Sequence, residues 1–489
     1  RPRPPPPAPG PGAMTSRPAP RRSTLLAAAL VAGRQVRSYA GAADGRGDDC
    51  PPRFQLPSAP THAVDLNGVA LPEACFNATG ASGGPHHAFV IGDWGGLSAG
   101  PGRPPAPADH RSRRFPSRAR PFVLGVDDRA QQRVARQMML RALVSRPDYV
   151  LNAGDNFYWG GIRAKCGQSF LSHDDTGQWG PIFEDVYRGP GMDGRQWLGV
   201  LGNHDYGGFT FTMGWDQAIA YSWGGATSTG RWVVPAQYWR AKVRYPGFAV
   251  DYFFVDSNVF DAMAPGAEMG HNICGRQHNP AHASCGPQGP ASVCDCPGWF
   301  ADLWEAQVAW LETHLRRSDA AWQIVVTHFP PTWGQPDWEH LARSHGIDLI
   351  VSGHTHRQAI VAGDAPDNFL SPTAWLVSGG GGGITSEGPP SASGDDDEYG
   401  FMELALERER ITVRAFSHGG QVRGSVVVRP RPPDLAYRAR APPRRPPRGA
   451  ARDACRPAAG VGGERQRAFL RWILGGRGHG GRGAAAVAA

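Results

Sequence analysis

Lysine is nearly missing from this chain of 489 residues: only Lys165 and Lys242 occur, so the basic side of its net charge of +8 is almost all arginine. No run approaches the roughly 18 consecutive apolar residues of a membrane-crossing helix, which excludes such a span. Internal repeats are lacking, and with them a solenoid or propeller. The arginine-rich ends lack interleaved aromatic residues and any recognisable base-reading module. A nucleic-acid partner is therefore not expected, despite the positive net charge.

What is abundant is unevenly placed. The 65 glycines and 46 prolines concentrate at the ends and in long loops. Residues 1–53 carry nine arginines against three acids, residues 429–489 fourteen against three, and the stretch between them is net −9. The expected organisation is a leader and low-complexity segment over 1–53, a folded domain over 85–428 with insertions near 97–126 and 262–298, and a disordered basic tail over 429–489. After Met14, three arginines, the apolar run Leu25–Gly33 and small residues near Ser38 read as a signal peptide. That predicts secretion or a lysosome- or vacuole-like compartment. Arg34, Arg37 and the lack of any acid before Asp44 leave an organelle transit peptide as the alternative.

Eight cysteines fit an oxidising compartment, and Asn77-Ala78-Thr79 is a glycosylation sequon. Four cysteines (Cys274, Cys285, Cys294, Cys296) share one short segment with His271, His278 and His282. Disulfides are the first reading there. A structural zinc is the alternative, although no paired Cys-x-x-Cys spacing supports it.

Between 85 and 428 a short apolar run is followed, six times, by a polar or glycine-containing loop: Ala88–Ile91, Tyr149–Asn152, Trp197–Leu201, Ile324–Val326, Leu349–Val351 and Trp375–Val377. These read as buried strands. Amphipathic helices are expected over Arg129–Val144, Leu303–Arg316 and Pro336–His345, and a closing hairpin over Phe401–Leu406 and Ile411–Phe416. Strands alternating with helices give an α/β core.

Five of the loops carry chemistry: Gly92-Asp93-Trp94-Gly95, Gly154-Asp155-Asn156-Phe157-Tyr158, Gly202-Asn203-His204-Asp205, Thr327-His328-Phe329-Pro330 and Gly353-His354-Thr355-His356. Any one of them alone is an ordinary turn or a surface histidine pair. Five in this order, each at the carboxyl end of a strand, can converge on one crevice. Two carboxylates, a phenol, an amide oxygen and three imidazoles suit hard or borderline cations. His354 and His356, two apart in an extended segment, point the same way and can address two ions about 4 Å apart. The glycines Gly379–Gly383 read as a tight loop beside this site rather than a nucleotide cradle, and Asp395–Glu398 as a solvated acidic loop.

These motifs resemble the binuclear metallophosphoesterases and, within them, the purple acid phosphatases, most closely the small tartrate-resistant type. The resemblance covers about 85–428. It implies a four-layer α/β/β/α sandwich with the metal site at the carboxyl ends of the strands. It also implies an Fe(III) held by Asp93, Tyr158, His356 and a bridging Asp155, and a second divalent ion (Fe, Zn or Mn) held by Asp155, Asn203, His328 and His354. His204 resembles the family's catalytic histidine, with Asp205 either orienting it or shaping the turn. The implied activity is acid phosphatase hydrolysis of phosphate monoesters by attack of a metal-bound hydroxide. A phosphodiesterase or nucleotide pyrophosphatase on the same centre is the alternative, and a non-catalytic iron-binding protein or pseudophosphatase is the alternative of another class. Gly95 stands where most metallophosphoesterases have a histidine. Thr327, Thr355 and Tyr206 also depart from the family's usual residues, without touching the ligand set.

Overall fold

The computed structural model describes residues 50–77, 84–96, 120–168, 176–225, 227–267 and 271–431. The expected leader up to residue 49, most of the first insertion, the tail beyond 431, and Ala78 and Thr79 of the sequon lie outside the described residues.

Strand residues alternate between two destinations, as a period of two demands. Ala88, Val90, Tyr149, Leu151 and Leu198 join Tyr252, Phe254, Ile324, Val326, Leu349 and Val351 in one buried cluster. Their neighbours Phe89, Ile91, Val150, Phe253, Val325 and Ile350 join helix side chains such as Val134, Met138, Trp304, Trp338 and Leu341 in another. Two sheets therefore face each other across an apolar layer, and helices cover their outer faces. Tyr149 Oη lies 2.8 Å from both Tyr245 Oη and Tyr252 Oη, so three phenols satisfy one another inside that layer.

The first sheet runs Val422–Val428, Ile411–Ser417, Gly400–Leu406, His86–Ile91, Tyr149–Asn152, Gln196–Gly199, Trp232–Val233. Its last four strands are parallel. The second runs Val69–Ala70, Trp239–Tyr245, Phe248–Phe254, Trp322–Val326, Leu349–Ser352, Ala374–Ser378, Gln358–Val361, with Ala74–Cys75 also paired to Trp239–Tyr245. Its strands from Phe248–Phe254 to Ala374–Ser378 are parallel. Parallel neighbours need crossovers, and helices Ala130–Ser145, Cys296–Arg317 and Gln335–His345 lie in three of them. Pro297 and Pro336 stand at the starts of the last two helices, where a missing N–H costs nothing.

All six apolar runs form strands, and the closing hairpin forms with a third strand added. Residues 50–77, ahead of the expected boundary at 85, also belong to the fold: they supply two short strands and are tied by the Cys50–Cys75 disulfide. The insertion near 262–298 is not purely superficial. Ile273, Cys274, Cys285 and Cys296 are fully buried, and the disulfides Cys274–Cys296 and Cys166–Cys285 replace the zinc alternative for these cysteines.

The sheets meet along one seam. Gly92 N donates to Ser378 O (2.8 Å) and Ser378 Oγ donates to Val90 O (3.0 Å), which brings the carboxyl ends of one strand from each sheet side by side. Gly381 N returns to Gly92 O and Gly383 N to Asp93 O, so the glycine run lies against the first acidic loop.

Candidate metal centre

Each sheet delivers part of one donor set across that seam. Asp93, Asp155 and Asn203 follow strands of the first sheet, and His328 and His354 follow strands of the second. The described structure brings all seven expected ligand residues together, and Asp93, Asp155, Asn203 and His328 are buried. Tyr158 Oη donates to Asp93 Oδ1 (2.9 Å) and Asp155 Oδ2 (2.8 Å) and lies 3.4 Å from His356 Nε2. Donor atoms of Asp93, Asp155 and His356 all fall within 4.8 Å of one another. A second group adjoins the first: His328 Nε2 is 3.1 Å from Asn203 Oδ1 and 3.3 Å from Asp155 Oδ1. His354 faces it, its ring 5.3 Å from that of His328, while its backbone N–H donates to Asp93 Oδ2 at 2.9 Å. Asp155 thus offers one oxygen to each group.

The electrostatics are those of carboxylates and imidazoles crowded together in a dry crevice. Burial raises the Asp93 carboxyl, and Asp155 adds to the rise, against His328. Burial also acts on Asp155, yet the charges of His328 and His204 overcome it and hold its carboxyl far below the usual range. His328 shows the reverse: burial lowers it, but Asp155 carries it up to about 10. Burial and then the two carboxylates push the Tyr158 phenol up. Burial and then His328 push His354 down. The donor spacing fits cations here. Two atoms bound at about 2.1 Å to one ion lie roughly 3–3.5 Å apart, and the contacts of 2.8–3.6 Å cluster about two points that share Asp155.

Gly95 explains one departure from the usual pattern. A Cβ at that position would stand 1.7 Å from Asn156 O, so no side chain, histidine included, fits this backbone. Gly95 O instead accepts from Tyr158 N (2.9 Å), and the phenol arrives from the opposite loop.

His204 lies at the rim of the set. Its N–H donates to Asp155 Oδ1 (2.9 Å), its Nδ1 bonds Trp159 O, and its ring centre is 4.4 Å from that of Tyr158. Burial lowers its pKa. Asp205 turns the other way: its oxygens accept from Asn156 N, Asn156 Nδ2 and Gly202 N, which ties two ligand loops together. The turn-shaping reading of Asp205 thus has contacts behind it. Among the described residues no hydrogen bond joins its carboxylate to the His204 ring.

A residue counted in the sequence only among the cysteine-rich segment's histidines stands here as well. His271 bonds Asp261 through Nδ1, its ring is 5.5 Å from His204 and 4.4 Å from Phe209, and its Nε2 is buried without a hydrogen-bond partner. Nothing local marks it, since its neighbours in space come from other loops.

A family model for calcineurin-like phosphoesterases matches residues 87–358. Tartrate-resistant acid phosphatase type 5 of Oryctolagus cuniculus is 24% identical over 220 residues, covering 42% of this chain and 55% of that protein. Purple acid phosphatase 17 of Arabidopsis thaliana is 27% identical over 237 residues, covering 46% and 58%. The chain thus spans little more than half the length of these curated relatives. Among solved structures, GAP50, the anchor in the inner membrane complex of Plasmodium, aligns at a TM-score of 0.47 and 16% identity over 73% of this chain and 93% of that one. Purple acid phosphatase PPD1 of yellow lupin aligns at 0.39 and 15% over 74% and 56%. The family model takes in more than half of the sequence and all five loops that meet at the seam, from Asp93 to His356, and the chain therefore belongs to the calcineurin-like phosphoesterases.

Proposed function

We propose that the protein is a metal-dependent phosphoric monoester hydrolase of the purple acid phosphatase type. In this reading an Fe(III) is held by Asp93, Asp155, Tyr158 and His356, and a divalent Fe, Zn or Mn by Asp155, Asn203, His328 and His354. The observation that carries it is Asp155, whose two oxygens face two donor groups, one of them containing a phenol. A phenolate is a hard, strongly donating ligand, which favours a trivalent ion. When bound, such ions neutralise phosphate charge and acidify water.

The chain's own groups do the rest. His204, held by Asp155 and Trp159, faces the substrate side and donates a proton to the leaving alkoxide or to a phosphate oxygen. Asp205 keeps the Asn156 and Gly202 loops in register, so that Asn203 and His204 stay aimed inward. Phe209 and Trp159 flank the two histidines and limit water on that side.

The test is the visible spectrum of purified, oxidised, iron-loaded protein, together with its turnover of an aryl phosphate monoester and the matching diester. A phenolate-to-iron charge-transfer band is expected, lost in Tyr158→Phe at unchanged protein fold, with the monoester turned over faster. A colourless protein with full iron content would remove Tyr158 from the ligand set. A faster diester rate would reassign the substrate class.

A further inference from the structure

The two helices that cover the second sheet carry a group of side chains unconnected with the seam. Glu312 comes from Cys296–Arg317, and His340 and His345 from Gln335–His345. One donor atom from each lies within 4.8 Å of the other two. His340 Nε2 stands 3.0 Å from Glu312 Oε1, and the rings of His340 and His345 are 5.9 Å apart at 89°. Two ligands of one tetrahedral ion at about 2.1 Å are roughly 3.4 Å apart, so the first pair already has ligating spacing. A donor atom of His345 lies within 4.8 Å of both.

We infer that Glu312, His340 and His345 form a binding site for a zinc-class divalent cation, with three protein ligands from two helices and a fourth position open to water. Two imidazoles and one carboxylate are a donor set suited to Zn²⁺. Ser344 Oγ lies 3.4 Å from His340 Nδ1, in position to hold that nitrogen as N–H and leave the Nε2 lone pair for the ion. The three residues are partly buried, so the site is reachable from solvent yet shielded on its inner side.

Two further features favour a cation. Both helices bring their carboxyl-terminal halves here, and helix carboxyl ends carry partial negative charge. Arg343 is drawn aside by Glu339 (3.6 Å) and by Phe369 O (3.0 Å). Burial lowers the His345 pKa, Glu312 opposes that fall and Arg316 adds to it, so the ring is held neutral and able to bind.

The site is separate from the seam. Cys296–Arg317 leads into Trp322–Val326 and Gln335–His345 into Leu349–Ser352, so the helix ends lie at the amino ends of those strands. His328 and His354 follow the carboxyl ends, about 15 Å of strand away. A cation there would join the two helices and leave the catalytic crevice untouched.

The experiment is zinc binding by the full chain with its seam metals in place, using Zn²⁺ alone as the probe. Zinc content and affinity are read by elemental analysis and calorimetry for the wild type, the double variant His340→Gln/His345→Gln and the milder Glu312→Gln. The wild type should hold one more equivalent than the double variant, and Glu312→Gln should weaken that equivalent at least tenfold. Iron content and turnover should stay unchanged in all three, so a failure of the phosphatase reading would not bear on this result. Equal zinc content and affinity in the wild type and Glu312→Gln, or binding only at millimolar Zn²⁺, would overturn the site.

Discussion

Asp93, Asp155 and His354 share an uncommon backbone state, with φ of 58°, 54° and 69°. A non-glycine residue in the left-handed region costs about 1 kcal/mol or more, so its surroundings must hold it there. For Asp93 the hold is its N–H on Gly154 O (2.9 Å), and for His354 its N–H on the Asp93 carboxylate. The turn swings each side chain back over the strand end and into the crevice. These loops are legible in the sequence because glycine, then a polar donor, then a turn is a local pattern. His271 carries no such local sign, because Asp261, Phe209 and His204 reach it only through tertiary structure. With Nδ1 committed to Asp261, its partnerless Nε2 is the ring atom that would meet a phosphate oxygen under the proposed function. His271→Ala should therefore lower kcat/KM roughly tenfold, the worth of one charge-assisted hydrogen bond, and His204→Ala by about a hundredfold or more. Steady-state kinetics at matched metal content checks this, and an unchanged kcat/KM in His271→Ala would leave that residue a purely structural role.

Strand Gly400–Leu406 is buried at every residue, including one acid. Glu403 receives Arg141 through two hydrogen bonds (2.8 and 3.0 Å) and sits 3.2 Å from His87 and 3.5 Å from Arg414, which clamps helix Ala130–Ser145 to the sheet. Burial raises its carboxyl, but His87 and Arg141 outweigh that and hold it down to about 2, from 4.5. A depressed carboxylate contributes stability that is complete above its unfolded value and disappears as pH falls through the folded one. Glu403→Gln should thus cost about 2 kcal/mol at pH 7, and the gap between the two proteins should close as pH falls from about 4.5 to about 2. Urea unfolding at pH 7, 4 and 3 measures it; a gap that does not change with pH would mean that the clamp is not ionic.

Element boundaries were less legible than element types. The strand expected over 197–201 ends at Gly199, because Leu201 O accepts from the Asn258 side chain rather than from a neighbouring strand. Helix Cys296–Arg317 starts seven residues before the expected Leu303, inside a segment whose prolines and cysteines disguised it. The hairpin Trp239–Tyr245 and Phe248–Phe254 is not among the expected elements, although alternate residues of its first strand are buried as a strand pattern requires.

Across the whole molecule, the disulfide Cys166–Cys285 joins the loop after the second acidic motif to the segment that bears His271, over a separation of 119 residues. Closing so long a loop restricts the unfolded chain, and replacing both cysteines by serine should lower stability by about 3–4 kcal/mol. Urea unfolding of the double variant against the wild type tests it; coincident midpoints would mean that the bridge restrains nothing. Cysteine content pointed to bridges, but pairing is a property of the assembled chain and cannot be read from spacing. The α/β class was legible in the strand–helix order, and the four-layer plan only through the family resemblance. Which strands meet at the seam was not.

That seam carries a consequence for any shortened version of this polypeptide. The first sheet's share of the donors consists of oxygens from Asp93, Asp155, Tyr158 and Asn203, and the second sheet's of the imidazoles His328, His354 and His356. A message truncated ahead of Thr327 would lose all three imidazoles, together with the strands from Leu349–Ser352 to Val422–Val428 that complete both sheets. Such an isoform would fail as a chelator outright, because neither sheet would be whole enough to hold the four remaining oxygens in place.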